Sequence, residues 1–422
     1  MATEIVDIEG HIVDSLILAK VLDAVVAAGG DYRVLDLDLG RSSRDPSRAA
    51  VEVTHTDPDR LRALVAELAV HGANRRHTAD ATLAPAPADG VAPSGFHATT
   101  NLPTQVLVGG RWLEVANPEM DCVLVVADVD GAAAARTAPL HRLRAGDRVV
   151  VGEAGVRTTA PPRPPGPHPF AFMTSAVSSE KPQANLAARV AAELVAARAD
   201  GRRVAVVAGP AVVHTGGAPH LAALVARGLV DVVFAGNGFA THDLEAQVLG
   251  TSLGVALGPP GAGGGLGLAA GTAGGPGHSN HLRVINEVRR LGSIAAAVAT
   301  GYVTGGVMAA CVRAGVPFVL AGSVRDDGPL PDVITDVVAA ADAMRAHLEG
   351  VGVVLMLAST LHAIATGNLL PAGVATYCVD INPAVATKLA DRGSHQALGI
   401  VTDVGLFLER LARTVEDQAM PA

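Results

Sequence analysis

The densest run of reactive side chains is Ser323-Val-Arg-Asp-Asp-Gly-Pro-Leu-Pro-Asp332. Arg325 carries the planar fork that grips a carboxylate through paired hydrogen bonds. Asp326 and Asp327 beside it could anchor an ammonium, hold a ribose or take a proton. A plainer reading competes: Asp-Gly-Pro makes a good turn, and Asp332 a good helix cap. Two adjacent acids with an arginine, directly after an apolar run, favour a site. A second polar group, His278, Asn280 and His281, follows residues 258–277, which are dominated by Gly, Ala and Pro. Two histidines three apart, with no third ligand at metal spacing, give no expectation of a metal. His281 is better suited to hydrogen bonding or to carrying a proton, and the loop before it reads as one that orders over a ligand.

Further candidates fall at regular intervals. In Ala235-Gly-Asn-Gly-Phe-Ala-Thr-His-Asp243, Asn237 offers the donor and acceptor that match an amide, although Asn-Gly also serves a tight turn. Asp243 and Glu245 read as acids favouring a helix start. Gly209-Pro-Ala-Val-Val-His-Thr-Gly-Gly217 has the glycines of a phosphate-binding turn without the G-x-G-x-x-G spacing, and an ordinary turn reads the same way. Ser359–His362, Thr366–Pro371, Asp380-Ile-Asn-Pro383 and Thr402-Asp403 complete the set. Asp380 is placed to receive ribose hydroxyls. Asn382 and Pro383 equally suit a helix cap and first turn. His362 lies on an apolar helix, where a core histidine and a ligand contact are both open.

The elements between these groups explain their spacing. Apolar runs at Val204–Ala208, Val230–Ala235, Pro317–Ala321, Val353–Leu357, Thr376–Ile381 and Gly399–Val401 read as strands. Helical patterns at Glu180–Arg198, Pro219–Arg227, Thr241–Leu249, Asp332–Leu348, Thr360–Thr366, Pro383–Asp391 and Leu406–Val415 alternate with them. Strand, turn, helix, repeated, predicts a parallel α/β sheet of about six strands, doubly wound and Rossmann-like. Ligands bind such sheets beyond the carboxyl ends of the strands, where the polar groups above other than His278–His281 fall.

The N-terminal part differs. Strands at Glu4–Glu9, Tyr32–Leu37 and Ala50–Thr54, with helices at Ile12–Ala28 and Pro58–His71 (Asp57 as cap), suggest a ferredoxin-like α+β domain. Ala79–Ser94 reads as a linker. Beyond it, Gln105–Val108, Arg111–Val115, Cys122–Ala127 and Arg148–Val151 form a small β-rich segment, with Val108-Gly-Gly-Arg111 as a hairpin turn. Thr158–Pro169 is proline-dense and reads as an extended connector. The expected domains are 1–78, 95–170 and 176–422.

Composition narrows the classes. Of 422 residues, 49% are apolar but only 3% aromatic, so Ala, Val and Leu must fill the core. A net charge of −9 without a basic tract argues against nucleic acid as partner. Three scattered cysteines exclude a disulfide framework and a cysteine-rich zinc site. The start, MATEIVDIEGHIVDS, has acids where a secretion signal needs positive charge, and no apolar stretch is long enough for a bilayer. The expectation is a soluble cytoplasmic protein with no membrane partner.

The strings GHIVDSLIL, FHATTNLPT, GPAVVHTGG, HDLEAQVLGTSLG, GHSNHLRVIN, SVRDDGPLPDV, LHAIATGNLLP, VDINP and VTDVG occur in this order along nearly the whole chain. On these the chain resembles the archaeal-type ornithine cyclodeaminases. They are often labelled by the conserved region of the bifunctional lysine-ketoglutarate reductase/saccharopine dehydrogenase (LOR/SDH), and form the C-terminal module of cyanobacterial arginine dihydrolase/ornithine cyclodeaminase. The resemblance implies a fold similar to the NAD-binding domain of deoxyhypusine synthase. It implies a lyase of proline biosynthesis that converts L-ornithine to L-proline and ammonia, with NAD reduced and reoxidised in one cycle. It also implies NAD contacts at Asn237, Gly238, Asp326, Asn368, Leu369, Leu370, Asp380, Ile381, Asn382 and Asp403. Asp327, Arg325 and His281 are assigned to the substrate from their chemistry. A dehydrogenase or reductase of a related amino acid, or a non-catalytic NAD- and amino-acid-binding module, are the alternatives. The Ala/Gly-rich helices suggest close packing of subunits in a homo-oligomer, a dimer or a tetramer.

Overall fold

The structure, a computed structural model, describes residues 1–10, 12–13, 17–41, 45–69, 71–76, 79–129, 131–159, 177–178, 183–253, 255–257, 279–326, 328–391 and 397–419. Asp327, His278, the loop 258–277 and the proline run 160–169 lie outside them. The chain divides into two compact units, Met1–Ala171 with Asn368–Gly373, and Phe172–Gly367 with Val374–Ala422.

The first unit opens with β1 (Ala2–Gly10), α1 (Ile17–Ala27), β2 (Asp31–Asp38), β3 (Ser47–His55), α2 (Pro58–Ala69) and β4 (Ala73–Arg75). Their antiparallel sheet has the order β2-β3-β1-β4, the arrangement of a ferredoxin-like βαββαβ unit. Alternation along β3 turns Ala49, Val51 and Val53 into a core completed by Val21 and Val25 of α1 and by Leu61, Leu64 and Leu68 of α2. Asp57 caps α2 as expected, accepting from the Asp59 and Arg60 N–H groups at 2.8 and 3.4 Å. The strands β5 (Thr82–Pro85), β6 (Thr104–Val108), β7 (Arg111–Ala116), β8 (Val123–Val129), β9 (Ala132–Ala138), β10 (Arg148–Val151) and β11 (Val156–Thr158) make a second sheet. Val108 pairs with Arg111 across Gly109 and Gly110, whose φ of 58° and 71° are those of the tight hairpin turn. The stretch expected as a linker is partly a strand, because Thr82–Pro85 pairs with Arg148–Val151 in strict register.

The second unit is a sheet of eight strands among the described residues, all parallel, in the order β12-β21-β20-β19-β13-β14-β17-β18. These are β12 (Val177–Ser178), β13 (Arg203–Ala208), β14 (Val232–Gly236), β17 (Phe318–Ala321), β18 (Val333–Ile334), β19 (Val351–Leu357), β20 (Ala375–Asp380) and β21 (Ala397–Val401). The hairpin β15 (Thr251–Ser252) and β16 (Val255–Ala256) stands apart. Central strands such as Val204–Ala208 are buried on both faces, which is why they are unbroken runs of Val and Ala rather than alternating patterns. Covering helices are α3 (Gln183–Ala199), α4 (Ala211–His214), α5 (Ala218–Ala226), α6 (Asn237–Leu249), α7 (Asn280–Leu291), α8 (Ile294–Ala299), α9 (Gly306–Ala314), α10 (Val337–Leu348), α11 (Leu361–Leu369), α12 (Pro383–Asp391) and α13 (Val404–Ala419).

The chain runs outward from β13 through β14 and β17 to β18. It then returns to lay β19 on the other side of β13 before continuing to β20 and β21. The switch point of this doubly wound sheet is therefore the seam between β13 and β19. There Gly209, just past β13, donates to the Leu357 carbonyl at 2.9 Å. Two differences from the expected elements have local causes. The helix expected from Asp332 starts at Val337, because Val333–Ile334 joins the sheet edge beside Leu320 and Ala321. Its cap is Asp336, accepting from Val338 and Ala339, while Asp332 accepts from Ile294 at the start of α8. Cys122, Cys311 and Cys378 are all buried, and none of them is in a disulfide. No helix among the described residues is long and apolar enough to cross a membrane.

Candidate functional site

Because every strand of the eight-stranded sheet is parallel, their carboxyl ends share one edge. The tips are Gly209 after β13, Gly236-Asn237 after β14, Gly322-Ser323 after β17, Ala358-Ser359 after β19, Asp380-Ile381 after β20 and Thr402-Asp403 after β21. The tips of β13 and β19 meet so closely that a Cβ on Gly209 would lie 1.8 Å from the Ala358 carbonyl oxygen. Ala358 itself holds φ at 46°, in the left-handed region.

On one side of the seam stand the acids. Asp380 Oδ1 accepts from the Asn382 N–H at 2.8 Å, and Asn382 Oδ1 accepts from Ala384 at 3.0 Å, so Asn382 caps α12. The Thr402 N–H donates to the Asp380 carbonyl at 3.2 Å, joining the tips of β20 and β21. Asp403 caps α13 by accepting from Leu406 at 2.9 Å. Ile381 is exposed beside them.

On the other side, α6 begins at the tip of β14 with no side-chain cap on its first turn. The first N–H groups of such a helix attract anions. Asn237 is buried, and its Oδ1 accepts from the Leu330 N–H at 3.0 Å and from the Thr241 hydroxyl at 3.4 Å. It thereby ties the chain after the Arg325–Asp326 turn to the tip of β14. Asp326 closes that turn, with Oδ2 accepting from Ser323 N at 2.8 Å; Arg325 on it is exposed. His362 of α11 reaches across, with Nε2 3.4 Å from the Ala321 carbonyl and its ring against Gly236. Burial lowers the His362 pKa below the usual imidazole value. Asn368 and Leu369 end α11 and Leu370 is buried, but this span clusters with the first unit.

The glycines of the Gly209–Gly217 turn are also packing positions. A Cβ on Gly217 would meet Leu408 at 2.9 Å, and one on Gly405 would meet the Thr215 carbonyl at 2.3 Å. The turn after β13 and the start of α13 can approach only because both residues lack side chains.

The polar centre that the sequence analysis did not single out lies on α6. Asp243 and Glu245, read as acids of a helix start, are both fully buried. Asp243 turns to α9, accepting from the Val307 and Met308 N–H groups at 3.0 and 2.8 Å. Burial raises its pKa to about 6, against the opposing pull of those two donors. Glu245 turns the other way. Its Oε2 lies 2.9 Å from His242 Nδ1, and its Oε1 accepts from the Thr251 hydroxyl at 2.7 Å. Asn280 Nδ2 donates to Thr251 Oγ1 at 2.9 Å. The His214 ring packs edge-on against His242, centroids 5.0 Å apart, with its Nδ1 2.6 Å from Ser252 Oγ. Burial first, then the neighbouring His242, lowers the His214 pKa, while Glu245 opposes the shift. The His281 ring centroid is 6.4 Å from that of His242. The signal was present: His242 and Glu245 are three apart, hence on one helical face.

Comparison with known proteins adds relatives to this geometry. Residues 188–411 match the family model described as arginine dihydrolase ArgZ-like, C-terminal, Rossmann fold. Residues 3–102 match the LOR/SDH bifunctional enzyme conserved region, and 103–187 the first region of the ArgZ-like C-terminus. A protein of Methanopyrus kandleri named ornithine cyclodeaminase is 50% identical over 98% of this chain and 97% of its own length. The crystal structure of apo ArgZ, an arginine dihydrolase from the cyanobacterial ornithine-ammonia cycle, superposes with a TM-score of 0.82. It is 38% identical, over 99% of this chain and 59% of that one. The ternary complex of AgrE with ornithine and NAD+ is 41% identical with a TM-score of 0.52, over 100% of this chain and 58% of that one.

Proposed function

The chain belongs to the ornithine cyclodeaminase family, and on that premise we propose that it converts L-ornithine to L-proline and ammonia with NAD held across its strand tips. One observation carries the reading: an all-parallel sheet brings the tips of β13, β14, β19 and β20 to one edge, with a switch point at Gly209. The donors at that edge fit a dinucleotide. The uncapped start of α6, at Asn237 and Gly238, suits a diphosphate. Asp380 uses Oδ1 on Asn382, which leaves Oδ2 for a ribose hydroxyl, with Ile381, Asn382 and Asp403 around it. Asp326 closes the neighbouring tip of β17.

When bound, NAD would supply a hydride acceptor that later returns the hydride. The chain supplies the rest: it fixes the dinucleotide, folds ornithine so that its δ-amine reaches the α-carbon, and moves protons. In this reading Arg325 takes the substrate carboxylate, and His281 contacts the substrate. Within this reading the protein is a cytoplasmic enzyme of proline biosynthesis, and the segment 176–422 is the catalytic domain, after 1–78 and 95–170. A homo-oligomer belongs to it as well. Strand β2 is exposed along its whole length, with Val34, Leu35 and Leu37 in the open, and a second copy would cover that edge. Light scattering on the eluting protein should give a dimer or tetramer mass, and Val34→Lys with Leu37→Lys should lower it.

The deciding experiment incubates the purified protein with NAD and isotope-labelled ornithine. Labelled proline with no net accumulation of NADH is expected. A stoichiometric nicotinamide signal would point to a dehydrogenase, and NAD binding without turnover to a binding module. Asp380→Ala should weaken NAD binding by roughly tenfold to a hundredfold, the value of one hydrogen bond to a carboxylate. Titration calorimetry giving the wild-type affinity would remove Asp380 from the site.

A further inference from the structure

We propose that His242, held by the buried carboxylate of Glu245, carries the proton from one substrate nitrogen to the other during ring closure. The proposal rests on the ornithine reading above and assigns a part of it.

Position argues first. If Asp380 receives the adenosine ribose on the β19–β20 side of the seam, the nicotinamide half falls on the β13–β14 side. His214 and His242 lie on the helices that follow β13 and β14. Construction argues second. Glu245 is fully buried inside α6, yet its two oxygens meet His242 Nδ1 and the Thr251 hydroxyl. Asn280 braces Thr251 from α7, so three separate elements fix one carboxylate. A buried carboxylate on one imidazole nitrogen fixes the tautomer and ring orientation, and leaves Nε2 to exchange protons. Among the described residues, the charged or titratable groups around His242 are Glu245 on its own helix, His214 on α4 and His281 on α7. His214 is turned to Ser252, and burial, then the neighbouring His242, lowers its pKa, which disfavours its taking the proton. Of the three histidines, His242 lies near both of the others and touches the carboxylate.

The step balances without a further reactant. Loss of hydride leaves an iminium at the α-carbon. The δ-nitrogen lone pair forms the new C–N bond, placing two nitrogens on that carbon and a positive charge on the ring nitrogen. His242 Nε2 takes the ring N–H proton and gives it to the α-amino group. The α-C–N bond then breaks with its electron pair leaving on ammonia, and the ring nitrogen lone pair forms the cyclic iminium that accepts the returning hydride. One proton moves and none is consumed.

The test measures wild type, His242→Ala, His242→Gln and Glu245→Gln for proline formation, NAD binding by calorimetry, and thermal unfolding. Removing a positioned acid–base group should lower kcat for His242→Ala by roughly 100- to 10,000-fold, with KM and NAD affinity close to wild type. Added imidazole should restore part of the His242→Ala rate and none of the His242→Gln rate, a rescue that lost packing would not give. Glu245 is a positioning residue, and Glu245→Gln should lower kcat without lowering NAD affinity. Nitrogen-correlated spectra of wild-type histidines, which need no variant to fold, should show His242 protonated at Nδ1; the opposite tautomer overturns the proposal. A fall of less than about tenfold in folded His242→Ala also overturns it. If the wild type forms no proline, the ornithine reading fails and takes this step with it; an active wild type beside an active variant sinks this step alone.

Discussion

Gly209→Ala is expected to cost about 3 kcal/mol or more of stability, the upper end of what overpacking costs, and to weaken NAD binding at least roughly tenfold. The added Cβ would lie 1.8 Å from the Ala358 carbonyl oxygen, 2.7 Å from its carbon and 3.1 Å from Ser359 Cα. All three are backbone atoms, so no side-chain rotation relieves the clash. Ala358 is already held at φ 46°, which leaves it little room to retreat. The two strands that meet there carry the two halves of the proposed dinucleotide site, so relief by separation would pull the site open. Gly373→Ala, whose Cβ meets nothing within 4 Å and whose φ is ordinary, is the control and should be near neutral. Urea unfolding and calorimetric NAD titration of both variants read the two effects.

Asp243→Ala should destabilise by roughly 3–5 kcal/mol, because two buried N–H donors lose their partner and α9 loses its cap. The same contact is protected from the other side. Gly306 has φ 86°, and a Cβ there would lie 2.7 Å from both Asp243 oxygens. Gly306→Ala should therefore break the same cap, and the double variant should cost less than the sum of the two. The pH dependence has a definite sign. Burial raises the folded pKa from 3.8 to about 6, so the folded protein binds this proton more tightly than the unfolded chain does. Stability from this group is greatest below the unfolded value, falls as pH rises through the window up to about 6, and is flat above it. The stability gap between wild type and Asp243→Ala should narrow across that window. A gap that widens with pH would mean that the carboxylate is held charged by its donors.

The sequence carried the sheet because each central strand is a short apolar run ended by small or polar residues, and the helix period follows at once. Strands of two residues, Val177–Ser178 and Val333–Ile334, have no period to detect; neighbouring strands create them. Thr82–Pro85 has the composition of a linker, and only the pairing with Arg148–Val151 makes it a strand. The acids of α6 were the least legible part. At the start of a helix an acid favours the dipole whether exposed or buried. Only the packing of α9 on one flank and of the Thr251 hairpin on another separates Asp243, a cap, from Glu245, the partner of a histidine.

The three cysteines have a practical consequence. Burial raises the thiols of Cys311 and Cys378 to about 12, and Cys122 is equally enclosed. Maleimides and peroxide react with the thiolate, which at neutral pH Cys311 and Cys378 hardly form, and burial keeps reagents from Cys122. A single cysteine introduced on the surface would thus take a spin label or dye with the native three left in place, and the motions of the strand tips could be followed in the intact protein.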